Sequence, residues 1–170
     1  MNKPMLLEMW DQFRQIQGVT VRTIERIPAD KLDAKPIPNM RTVRELVDHM
    51  YVYVRGVPGA ILRGELLQED CPSNAERLTT SKDLLAYAHE SFRMADQAIA
   101  KMEEKHLGQP IPTFFGRDIT GSGLMQIVYD EHLHHRGQFY AYLRVLGIEP
   151  PFLWSFTENA PEYQPRELRV

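Results

Sequence analysis

A chain of 170 residues, 43% hydrophobic and 25% charged, has the make-up of one ordinary globular domain, large enough to bury a core and too short for two. Its formal net charge is -3 and its 20 basic residues are scattered, so it carries no footprint for a phosphate backbone, and nucleic acid is not an expected partner. The longest apolar runs, such as Met50 to Val54, are far too short to span a bilayer, so no membrane association is expected, and the single cysteine, Cys71, excludes an intramolecular disulfide.

The start, MNKPMLLEMWDQF, reads as an amphipathic helix carrying acidic residues rather than as a basic region followed by a continuous apolar run. The cytoplasm is therefore the expected compartment. Apolar residues at spacings of three and four predict a first helix from about Leu6 to Ile27, with Leu6, Trp10, Phe13, Ile24 and Ile27 on its buried stripe and Pro28 as its end. The linker PADKLDAKPIPNM, with Pro28, Pro36 and Pro38, cannot continue that helix.

A second helix is expected from near Thr42. Its stripe of Thr42, Leu46, His49, Tyr53 and Gly56 sets a histidine where an aliphatic residue would be usual, and Gly56, Pro58 and Gly59 predict fraying or a kink. The polar segment from Gln68 to Thr79 is a loop, and Cys71 within it reads as an incidental thiol. Thr80 and Asp83 form a capping arrangement for a third helix reaching about Glu104, with Leu85, Ala88, Phe92, Ala95, Ile99 and Met102 inside.

A Gly- and Pro-rich connection with room for one short helical turn follows, its Phe114 and Phe115 placed to plug an end of the bundle. The last helix should begin after Thr120 or Ser122 and run to about Leu146, stopped by Gly147 and the Pro150, Pro151 pair. In the tail from residue 152 to 170, Phe152, Trp154 and Phe156 are expected to pack back on the bundle and the charged end to be mobile. No window shows sustained strand-like alternation, so the class is all-α and residues 1–170 read as a single domain.

Four-three spacing along the last helix from Leu124 gives Leu124, Val128, Glu131, His135, Gln138, Tyr142 and Val145, an apolar stripe with a polar middle. Buried polar groups need partners or a metal. Glu131 and His135, four residues apart, can address one ion from the same face, and His49 holds the equivalent middle of the second helix. Three such ligands leave positions open to activate a water or a thiol.

Spacing favours Glu131 over His132 as the third ligand, with His132 kept open as its replacement. The alternative is a set of core polar residues satisfying one another, with Tyr53 or Gln138 nearby. His134 and Arg136 point away from this centre, and His89 and His106 read as structural or solvated. Asp48 and Asp130 read as facing solvent or supporting the ligands from behind, and Gly137 as a point of close helix approach.

The segment EHLHHRGQFYAYLRVLGIEPP, with RTVRELVDHMYVYVRGVPGAILRGE before it, resembles the last and second helices of the DinB-like, YfiT-like proteins. The resemblance implies a four-helix bundle with an additional short helix, often dimeric, and a divalent metal held by three residues at positions matching His49, Glu131 and His135. The commoner family residue at position 131 is histidine, so the glutamate here leaves open the ion, with zinc or nickel foremost, and the degree of binding. Some relatives are similar to thiol-dependent S-transferases.

Two functions follow. One is a metal-dependent thiol S-transferase or hydrolase for a small molecule, with Tyr53 and Gln138 lining its pocket. The other is a non-catalytic stress-response or scaffold dimer with a vestigial metal site.

Overall fold

The computed structural model describes residues 1–166. Four long helices make a bundle: α1 (Lys3–Glu25), α2 (Val43–Arg63), α3 (Ser81–Lys101) and α5 (Gly121–Val145), with the short α4 (Glu104–Gly108) between the last two. Each long helix starts on a side chain that takes up an otherwise unpaired backbone N–H. Asn2 accepts from the Met5 amide, Thr120 accepts from the Gly123 amide, and Thr42 with Glu45 and Thr80 with Asp83 form reciprocal capping boxes.

The central helix is α2, which packs against both α3 and α5, while α1 closes the bundle against the same pair. Stacked Trp10, Phe13 and Phe92, with ring centroids 4.7 Å and 5.3 Å from Trp10, fill the space between α1 and α3. The all-α four-helix bundle with one added short helix is the observed architecture.

The structure corrects several expectations. The first helix ends at Glu25 and the third at Lys101, where Met102 turns extended before α4 begins. Helix α2 does not fray at Gly56 to Gly59 but runs through Pro58 to a left-handed Gly64. Gly56 is there for another reason: a Cβ on it would stand 2.0 Å from the Asp70 carbonyl oxygen of the crossing loop. Gly137 has open space around it, so no helix approaches closely there; Gly18, against Asn159 and Tyr163, marks a true contact point.

A two-stranded antiparallel hairpin, β1 (Pro110–Pro112) with β2 (Asp118–Thr120), was not expected. Three-residue strands, the first of them bounded by prolines, show no alternation to read. Leu66, just after α2, donates to Pro112 and accepts from Phe114. That pins Phe114 against the core, while the neighbouring Phe115 is exposed at 40%.

In the tail, Phe152 and Trp154 do not pack back; they are 72% and 66% exposed. The tail docks instead through buried Asn159, which donates to the Gln15 carbonyl, and Tyr163, which contacts Phe92 and His89. Arg166 is tied to Asp11 and Asp96. The rest of the charged end, at 167–170, lies outside the described residues.

Candidate metal centre

The middle turns of α2 and α5 face each other and bring His49, Glu131 and His135 together, each offering a ligand atom within 4.8 Å of the other two. The His49 and His135 rings meet edge to face with centroids 4.5 Å apart. The His135 Nε2 lies 3.2 Å from Glu131 Oε2. The ring of His135 is enclosed, with 8% of its side chain exposed, whereas 41% of the Glu131 side chain remains open to solvent.

A hydrogen-bond chain holds the His135 ring through Nδ1. The Gln138 carbonyl Oε1 can only accept, so the His135 Nδ1, 3.1 Å away, carries the hydrogen and donates it. The amide nitrogen of Gln138 in turn donates to His134 Nε2 at 2.8 Å. The other ring nitrogen of His135, Nε2, faces the Glu131 carboxylate.

Burial pushes the pKa of His49 down to about 4, with the positive charge of Arg41 and the proximity of His135 adding to the shift and Glu131 and Asp48 opposing it. At neutral pH His49 is thus an uncharged imidazole with a lone pair, the form a metal requires. Two imidazoles and one carboxylate are a donor set that open zinc sites use, so the residues present fit a divalent ion.

His132 is placed elsewhere. It is fully buried in the centre of the bundle, its ring edge-on to Phe13 and Tyr51, with Nδ1 3.3 Å from the Met50 carbonyl and Nε2 3.3 Å from the Thr20 hydroxyl. Helix α5 touches both α1 and α2, so it buries a wide arc, with His132 at the centre and Glu131 at the rim. The expected depth of Glu131 is corrected accordingly.

A cavity of about 730 Å³ adjoins the cluster, bordered by His49, Tyr53 and Gln138 and lined also by Arg41, Cys71 and Phe114. Burial raises the Tyr53 phenol and lifts the Cys71 thiol to about 11, with Asp70 contributing to the latter, so both stay protonated at neutral pH. Cys71 is a free loop thiol, as expected, and it also borders the cavity. Asp48, expected at the surface or supporting the ligands, is 3% exposed and fastens the wall instead, accepting from the Ser73 hydroxyl at 2.7 Å and the Asn74 amide at 3.1 Å.

Asp130 is exposed and accepts from Gln126. His134 is exposed, and Arg136 is half-buried at the edge. His89 meets the Tyr163 hydroxyl, and His106 accepts from the Glu103 amide at the start of α4. Arg41, between the proline-rich linker and the Thr42 cap of α2, escaped sequence reasoning because no periodicity reaches it.

A family model described as "DinB family" matches residues 1–166. An uncharacterized protein of Bacillus subtilis (strain 168), YjoA, is 27% identical over 143 residues, which span 82% of this chain and 90% of YjoA. The crystal structure of that DinB-like protein superposes with a TM-score of 0.70 at 25% identity, covering 94% of this chain and 99% of the other. A DinB-like protein from Bacillus cereus ATCC 10987 shares the fold, with a TM-score of 0.68 at 18% identity over 85% of this chain and 94% of its own.

Proposed function

Since the chain belongs to the DinB family, we propose that it is a metal-dependent enzyme, a thiol S-transferase or hydrolase, whose divalent ion, zinc by its donor set, is held by His49, Glu131 and His135. The observation that carries this reading is the convergence of His49, Glu131 and His135, whose ligand atoms all lie within 4.8 Å of one another, with His135 Nε2 directed at the Glu131 carboxylate. When bound, the ion supplies a Lewis acid that stabilises the deprotonated form of a thiol or a water at neutral pH.

The protein's own groups have separate tasks. Gln138 holds His135 in the tautomer that presents Nε2. Burial keeps His49 neutral. Tyr53, protonated, offers the cavity a hydroxyl that can donate to a bound substrate. The half-open Glu131 side and the cavity give a small molecule access, which favours catalysis over the scaffold alternative, whose core would be closed.

The test is a conjugation screen with low-molecular-weight thiols and an ester hydrolysis screen, run with zinc, nickel or a chelator. Turnover that needs the ion and disappears in His135→Ala supports the reading. Identical rates with ion and chelator across both screens would overturn it.

A further inference from the structure

The acidic groups that border the cavity are already engaged, and one cation beside them is not. Glu45 accepts from the Thr42 amide within the α2 capping box, and Asp48 is taken up by Ser73 and Asn74. Arg41 borders the same cavity, is exposed, and, like Arg26, Arg55, Arg77, Arg117, Arg136 and Arg144, makes no ion pair among the described residues; of these arginines it is the one that lines this cavity.

Its position is fixed from behind. The Tyr142 hydroxyl donates to the Arg41 backbone carbonyl at 2.7 Å, tying the root of this side chain to α5, the helix that also carries Glu131 and His135. Two further polar walls, Asn39 and Gln68, are neutral. A guanidinium without an ion pair on the wall of a partly enclosed cavity presents a fork of N–H donors that suits an oxyanion on a ligand.

Resting on the metal-enzyme reading for its catalytic meaning, we propose that Arg41 is the docking cation for an oxyanion, carboxylate or phosphate, on the small-molecule substrate. The substrate is thus anionic at the end that meets Arg41, and its other end enters the cavity toward His49. Neutral and cationic analogues are discriminated against by the same residue. Arg41 acts here in binding and selection and touches no reacting atom.

The test measures binding of succinate, inorganic phosphate and the neutral isostere succinamide by ligand-observed NMR, in chelator-treated protein and again after zinc addition. The wild type is expected to bind succinate or phosphate about ten-fold or more tightly than succinamide without any ion present. Arg41→Gln should abolish that preference and Arg41→Lys should keep part of it.

Whichever of succinate and phosphate binds more tightly identifies the oxyanion. No preference over succinamide in the wild type, or a preference that persists in Arg41→Gln, would overturn the inference. The chelated arm separates the two proposals, because failure to take up zinc would sink the metal reading while leaving the charge preference measured.

Discussion

Replacing His132 by glutamine should flatten the acid dependence of stability. His132 is fully buried, and burial lowers its pKa from 6.5 to about 3, despite the opposing hydrogen bond to Met50 and aided by the charge of Arg136. The unfolded chain therefore binds a proton below about pH 6.5 that the folded chain refuses. Stability from this residue is complete above pH 6.5 and falls as the pH drops toward the folded value, by about 1.4 kcal/mol per unit. Between pH 6.5 and 4.5 the loss is roughly 2 kcal/mol.

Glutamine does not titrate, and its amide can still donate to the Met50 carbonyl. Losing the ring contacts with Phe13 and Tyr51 lowers stability at every pH, yet leaves the slope unaffected. Urea unfolding of both proteins, chelator-treated, at half-unit steps from pH 7.5 to 4.5 measures the difference. His49 has a shift of the same sign but is half-exposed, and it cancels when the two curves are subtracted. Parallel curves for wild type and His132→Gln would refute the reasoning.

Gly137→Ala should raise stability by about 0.5–1 kcal/mol, because the helix gains propensity and the added methyl meets nothing. Gly56→Ala should instead cost about 1–3 kcal/mol, since its Cβ would collide with the Asp70 backbone; thermal melts of the two variants check both signs. Cys71, lifted to about 11, should react with iodoacetamide at pH 8 about ten-fold or more slowly than free cysteine, with the rate still rising above pH 9. A plateau near pH 8 would contradict the burial argument.

What the sequence made legible follows from what repeats. Four-three spacing set His49, Glu131 and His135 on facing helices, and Thr42 and Thr80 marked helix starts through their side-chain oxygens. Depth was less legible: α5 is wrapped by α1 and α2 together, so the position one step round from Glu131, not Glu131 itself, lies at the centre. Cavity walls contributed by Arg41 and Cys71 come from segments without periodicity, and only tertiary packing brings them to the site.

Glycine showed a similar limit. Gly56 and Gly137 look alike in a helical pattern, and what separates them is a crossing loop at one and solvent at the other. The exposed Trp154 and the docked Tyr163 make the same point for aromatics in a tail, where side-chain type alone does not fix which ring finds a partner.

Metal content tests the central claim most directly. Elemental mass spectrometry of the purified protein after zinc reconstitution and desalting, beside His49→Ala, Glu131→Ala and His135→Ala, should give near-stoichiometric zinc in the wild type and clear loss in every variant. Zinc absent from the wild type, or retained equally by all three variants, would contradict the account.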